Sequence, residues 1–229
     1  MWILVVTGNR NPHIMKRFFV FFLIVITVVA VSCSKHSSGP DAGHGPNALF
    51  PLTAGDTWYY QDSVFTDSAL SVAYADTMTV NGQRVQDNSG NWYVGLTNPY
   101  GWFKGSYIMV DPSNTTVSEV DSPAYSPYTF FQTVGQDGPI GTGADYSNPG
   151  CPIQSIQYGY AAPITVAGYS CLENAEVTTD CNNVIREEVI SYLSPGVGVV
   201  RIEDYLSDST KGNKLYEDYS QTLTNKVLH

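Results

Sequence analysis

The sequence predicts an all-β protein, a single domain built on a mostly antiparallel curved sheet or open half-barrel. Three observations carry that expectation. From Leu49 onward, short runs rich in Thr, Val, Tyr and Trp recur. Clusters of Gly, Pro, Asn and Asp separate them, as turns require. No stretch keeps helical periodicity over three turns, which argues against helix-connected parallel sheets. A length of 229 residues with 43% apolar content suits one domain plus a targeting segment.

The first segment does not belong to the sheet. Lys16-Arg17 precede a predominantly apolar run from Phe18 to Val31, then Ser32-Cys33. At about 14 residues the run is shorter than the ~20 a membrane-spanning helix needs, and it has the length of a signal peptide's apolar core. Met15 reads as the translation start, so removing residues 1–14 is expected to leave export unchanged. Ala30-Val31-Ser32-Cys33 resembles the lipobox of bacterial lipoproteins, with Ala30 where leucine is usual. The resemblance implies that Cys33 is acylated, palmitate among its chains, and becomes the mature N-terminus. Three acyl chains, at roughly 0.8 kcal/mol per buried CH₂, exceed what stable anchoring needs. Ser34 stands where an inner-membrane-retaining aspartate would, which favours the outer membrane. Ser34-Lys35-His36-Ser37-Ser38 lacks the acidic cluster that marks surface export, which favours the periplasmic side. Residues 1–32 are therefore expected to be an export signal, 33–47 the lipidated cysteine with a Gly/Ser/Pro-rich tether, and 48–229 the β-rich domain.

The formal charge is −10, and since Arg10, Lys16 and Arg17 precede Cys33 while no acid does, the mature part is more acidic still. Nucleic acid is excluded as a partner, because affinity for it rests on Lys and Arg neutralising phosphates.

Candidate strands run Trp58–Thr66, Leu70–Val80, Asn91–Leu96, Trp102–Val110 and Thr116–Val120, then Ile164–Val166, Ser170–Thr178, Val184–Ser194, Val197–Leu206 and Lys214–Leu223. Asn81-Gly82, Asp87–Gly90, Asn98–Gly101 and Asp111–Asn114 supply turns in the first half, and Ser194-Pro195-Gly196 one in the second. Trp58 and Tyr60 should share one face and Tyr59 the other. In Val199–Leu206, Arg201, Glu203 and Tyr205 form an outward set alternating with Val200, Ile202 and Leu206. Thr133–Pro163 holds many Gly and Pro residues and no clear strand. It reads as a long loop, either a binding lid or a surface excursion pinned by Cys151.

With Cys33 assigned to lipid, Cys151, Cys171 and Cys181 remain. An oxidising compartment predicts one disulfide among them and one leftover thiol, closing a loop of 10 to 30 residues worth about 3 kcal/mol. Spacings of 20 and 10 do not suit zinc, so neither metal nor cofactor is expected. The histidines, His13, His36, His44 and His229, all fall outside the expected folded region, which removes Ser-His-Asp and Cys-His chemistry. Glu187, Glu188, Glu203 and Asp204 are candidate glycosidase acids, although their spacing fits solvated strand faces. Asp137-Gly138 and Asp145 offer oxygen ligands for Ca²⁺ without the EF-hand spacing. Trp92, Tyr93, Tyr100 and Trp102 are candidate ligand-facing aromatics for stacking on sugar rings, and equally good strand residues. Asp62-Ser63-Val64, Asp67-Ser68-Ala69, Asp76-Thr77-Met78 and Asp208-Ser209-Thr210 resemble the O-glycosylation sequon of exported Bacteroidota proteins.

Two phrases resemble elements of uncharacterised Bacteroidota envelope lipoproteins. Leu49-Phe50-Pro51-Leu52 with Gly55-Asp56-Thr57-Trp58-Tyr59-Tyr60 is similar to their "FPL…G…W.Y" opening, and Ser194-Pro195-Gly196-Val197-Gly198-Val199-Val200 to their "PGVGLV" element. Val166-Ala167-Gly168 with Tyr169-Ser170-Cys171 resembles a third element. The resemblance implies a curved antiparallel sheet of the TapB-like kind, with a shape like that of the LolA/LppX lipoprotein carriers, and it implies no activity.

The expected function is that of a non-catalytic outer-membrane lipoprotein binding another envelope component, protein or glycan. A carrier or sensor of lipid-like molecules is the alternative, and a carboxylate-dependent hydrolase a distant third. A carrier requires an open cavity lined by apolar residues, a binding module a filled core with an aromatic or acidic patch, and a hydrolase two carboxylates converging in a cleft.

Overall fold

The computed structural model describes residues 48–97, 106–122, 124–125, 127–145 and 150–229. Cys33, Tyr100 and Trp102 lie outside them. Twelve strands follow one another: β1 (Thr57–Thr66), β2 (Ala69–Gln86), β3 (Trp92–Thr97), β4 (Tyr107–Val110), β5 (Thr116–Val120), β6 (Tyr128–Gln132), β7 (Gly138–Asp145), β8 (Ile153–Val166), β9 (Tyr169–Thr179), β10 (Ile185–Ser194), β11 (Gly198–Asp208) and β12 (Lys214–Val227). All belong to one sheet in the order β6-β5-β4-β3-β2-β1-β12-β11-β10-β9-β8-β7. Every neighbouring pair is antiparallel, so two meanders meet where β1 pairs with β12. The sheet curls into a nearly closed barrel, a single all-β domain. Among the described residues no helix is long and apolar enough to cross a membrane.

Most strands lie where alternation and turns put them, with instructive departures. β2 runs straight through Asn81-Gly82, because the register shift between Val80 and Arg84 absorbs the pair as a bulge, with Gly82 at φ 76°. The long loop expected over Thr133–Pro163 is instead largely sheet, since β7 and most of β8 fall inside it. Their Gly and Pro residues read as breakers but sit where sheets tolerate them. Pro139 is on β7, an edge strand paired only with β8, and Pro163 lies in the bulge between Tyr160 and Ile164. The sequence reading also passed over β6, five residues long.

The apolar core occupies one end of the barrel. Trp58, Phe50, Tyr60, Ile108, Leu193 and Ile202 are all essentially buried there, and Tyr59 is 38% exposed on the opposite face of β1. The "FPL…W.Y" and "PGVG" phrases meet at this end. The Phe50 and Trp58 rings lie 5.0 Å apart, and the Trp58 indole donates to the Val197 carbonyl at 2.6 Å. Gly198, at φ 99°, passes so close that a Cβ there would stand 3.0 Å from the indole nitrogen. Gly196 N–H donates to the Ala48 carbonyl at 2.7 Å, fastening the segment before β1 across the barrel end. Two phrases well over a hundred residues apart thus form one plug.

Cys151 and Cys181 form the disulfide, with Cα atoms 4.9 Å apart, tying the approach to β8 to the β9–β10 turn. Cys171 is the leftover thiol, buried in the core. His229 belongs to the folded domain after all. Its N–H donates to the Asp56 carboxylate at 2.8 Å and its ring packs over Gly55.

Candidate ligand-binding cleft

Cross-strand register carries the inward face of β1 around the barrel. Asp62, two residues beyond Tyr60, sits opposite Gln221 on β12. Gln221 is opposite Ile202 on β11, and Asp204 is opposite Val189 on β10. Val189 and Glu187 face Glu176 and Thr178 on β9. Beyond the apolar tier the lumen therefore turns polar and acidic. Asp204, one of the acids whose spacing fits solvated strand faces, is buried at 8% exposure, and Leu206, expected inward, is 40% exposed. The four candidate acids divide between faces. Glu187 and Asp204 face inward, while Glu188 and Glu203 face outward, where Arg201 pairs with Glu203 at 2.7 Å. The solvated-face reading therefore fails for the buried Asp204, while Glu187 is half-buried in the wall of a cavity.

Asp62 is a buried acid of this tier. It is fully buried, and neither carboxylate oxygen has a hydrogen bond within ordinary limits. Burial pushes its pKa above the usual carboxylate range, the Gln221 and Tyr219 side chains pull it partly back, and Asp76 adds to the rise. Asp62→Asn follows as a test. The unfolded chain ionises this group in the ordinary range, whereas the folded chain resists doing so, and stability falls as pH rises from that range through the raised folded value. The variant is expected to be more stable than wild type at pH 7 and to lose that advantage near pH 4. Urea titrations at both pH values check this, and an equal difference at the two would show that ionisation here costs nothing.

The barrel does not close by strand pairing, for β6 and β7 share no ladder. Side-chain amides from the far wall dress the free edge of β6 instead. Asn174 accepts from Gln132 N–H at 2.8 Å and donates to Gln132 C=O at 3.0 Å, and Gln157 donates to the Thr129 carbonyl at 2.8 Å. A cavity of ≈ 320 Å³ opens at this seam, with Glu119, Glu176, Glu187, Ser191, Tyr128 and Phe130 in its walls. A second cavity of ≈ 260 Å³, along β7, shares Tyr128, Gln157 and Glu176 with it. The glycines of β7 keep that second wall low, since a Cβ at Gly143 would stand 2.7 Å from the Ser155 hydroxyl. The Tyr128 hydroxyl donates to Glu176. Burial and then Glu176 itself hold that hydroxyl well above the usual tyrosine range, so it stays a neutral donor.

Of the aromatic residues singled out from sequence, Tyr100 and Trp102 lie outside the described residues, and Trp92 and Tyr93 do not line this cavity. Trp92 is 40% exposed on β3 and does not line the cavity. Tyr93 is buried, its hydroxyl 3.4 Å from Asp87, which corrects its reading as a ligand-facing ring. The aromatic wall is Tyr128 and Phe130. The run Tyr128-Thr129-Phe130-Phe131 was a strand signal in the sequence, obscured by the Gly-rich stretch after it. Asp137 accepts from Ala161 N–H at 2.8 Å, securing the β8 bulge, and the Asp145 side chain lies outside what is described. Among the described residues no group of three or more Asp, Glu, His or Cys is placed to hold a metal ion.

No family model matches the chain, and no curated protein matches it. Among solved structures, a crystal structure of a Parabacteroides distasonis protein described provisionally as a lipoprotein aligns over 80% of this chain and 100% of its own, at 14% identity and a TM-score of 0.42.

Proposed function

We propose that this protein is a non-catalytic lipoprotein of the bacterial envelope, held by acylated Cys33 at the periplasmic side of the outer membrane, and that its barrel binds a glycan at the β6–β7 seam. The observation that carries the reading is the contrast between the two ends of the lumen. The apolar end is filled by Phe50, Trp58 and Tyr60, whereas the cavity at the seam sets carboxylates, amides and hydroxyls among the apolar Phe130, Ala175 and Val189. The carboxylates and amides among that lining are groups that a lipid carrier's cavity does without. A volume of ≈ 320 Å³ lies at the lower end of small-molecule sites, which pair apolar or aromatic walls with a few placed polar groups. Glu176 is engaged by Tyr128, which suits a positioning residue better than a general acid.

The test takes the chain from Ser34 onward, exported without acylation, to an array of envelope glycan fragments and to native mass spectrometry. Glycan binding with a bare protein mass is the expected result. A lipid mass released on denaturation would overturn the reading in favour of a carrier.

A further inference from the structure

We infer that the inward face of β1 holds a hard divalent cation, calcium by the chemistry of its ligands, between Asp62, Gln221 and Tyr219. None of the three lines the seam cavities, so the site is independent of what the seam binds.

Strand register gathers the oxygens. Asp62 has Gln221 directly opposite on β12, and Tyr219, opposite Val64, is its diagonal neighbour there. Asp76, opposite Tyr60, is its diagonal neighbour on β2. Such positions on one face lie about 4.5–5.5 Å apart when opposite and about 7–8 Å when diagonal, within reach of side chains of this length. Asp62 is fully buried and Gln221 is 1% exposed. Both Asp62 carboxylate oxygens, the Gln221 side-chain carbonyl and the Tyr219 hydroxyl are shut off from solvent, and among the described residues none of the four atoms makes a hydrogen bond. Buried polar atoms are normally satisfied, and an ion is one established reason for an exception. Gln221 and Tyr219 nevertheless stand close enough to Asp62 to offset part of the rise that burial imposes on its pKa. The groups are near one another without touching, which leaves a place between them.

The ligands are hard oxygens from a carboxylate, an amide carbonyl and a hydroxyl. Calcium accepts such a set in irregular geometry, whereas magnesium demands an octahedron and keeps its waters. Charge favours an ion over a buried water. Asp62 and Asp76 together carry two negative charges, and among the described residues no Lys, Arg or His acts on Asp62. Asp76 accepts from Thr77 N–H at 2.6 Å and contributes charge rather than a ligand. The site thus has one ligating carboxylate, in keeping with the absence of any metal-holding group of three acids, histidines or cysteines among the described residues. Entry is short. Tyr74, directly opposite Asp62, is 42% exposed, and Val72 beyond it on the same face is 53% exposed, so the lumen meets solvent one step past Asp62.

The test is calcium titration of the chain exported from Ser34 onward and stripped with chelator, read by thermal unfolding and by terbium luminescence excited through tyrosine. Saturating calcium is expected to raise the wild-type midpoint by about 5 °C or more, and terbium to become luminescent on binding and to be displaced by calcium. Asp62→Asn, the more stable protein in chelator at pH 7, should lose that calcium shift and bind calcium at least about tenfold more weakly. Tyr219→Phe keeps the ring, removes only the hydroxyl, and should weaken calcium binding too. A wild-type midpoint indifferent to calcium would overturn the inference and leave a proton on Asp62 in the ion's place. Calcium affinity unchanged in Asp62→Asn or, should that variant misfold, in Tyr219→Phe would put the ion elsewhere and overturn the site.

Discussion

Replacing Trp58 with alanine is expected to cost about 3–5 kcal/mol of unfolding stability, the range for deleting a fully buried large aromatic. Trp58 is fully buried. Its ring packs against Phe50, its indole N–H satisfies the Val197 carbonyl, and Gly198 has been cleared of a side chain to let it in. The variant loses the apolar contacts, opens a cavity that a curled sheet cannot easily collapse, and strands a carbonyl. Measured against the roughly 5–15 kcal/mol that holds a typical domain together, that loss would leave the protein marginal. Tyr59→Ala is the control, one residue along but 38% exposed, and should cost far less. Urea denaturation followed by circular dichroism reads both. A loss below 1 kcal/mol for Trp58→Ala would show that the plug is decoration and the barrel stands without it.

The second large effect concerns the disulfide. Cys151 and Cys181 are 30 residues apart, and closing a loop of that length restricts the unfolded chain by about 3–4 kcal/mol. The double variant Cys151→Ala/Cys181→Ala is expected to lose that amount and to unfold at correspondingly lower urea. β7 and β8 should suffer most. β7 is an edge strand paired on one side, and the bridge anchors the entrance of β8 to the β9–β10 turn. Hydrogen exchange is therefore expected to speed up first in the β7–β8 amides, and with them at the seam cavity, whose wall includes Gln157 of β8. Mass analysis of the wild-type protein should show one disulfide, with Cys171 reacting with thiol reagents only after unfolding, since it is fully buried. Reactivity of Cys171 in the native state, or an unchanged urea midpoint in the double variant, would contradict this arrangement.

The legible parts of this protein were those governed by near neighbours. Alternation placed Trp58 and Tyr60 inside and Tyr59 outside because side chains on a strand switch faces at every residue. The turn residues at 87–90, 111–114 and 194–196 located hairpins, although Asn81-Gly82 proved to be a bulge inside β2, and the cysteine count called for one bridge and one thiol. An all-β curved sheet followed from these alone. The pairing of Cys151 with Cys181 did not, because three spacings were equally open until the β9–β10 turn was brought beside the approach to β8. Nor did β7 and β8, since the same Pro139 that argues against a central strand is acceptable on an edge, and edge status belongs to the assembled sheet. The cleft was hidden for the same reason. Glu187 reads as one more acid on a solvated strand until the curl of the sheet turns its face inward, opposite Thr178 and beside Glu176. Local periodicity determined which residues share a face; only the closing of the barrel decided which face lies outside and which lines the lumen, because inside and outside are properties of the whole sheet's curvature and of no single strand.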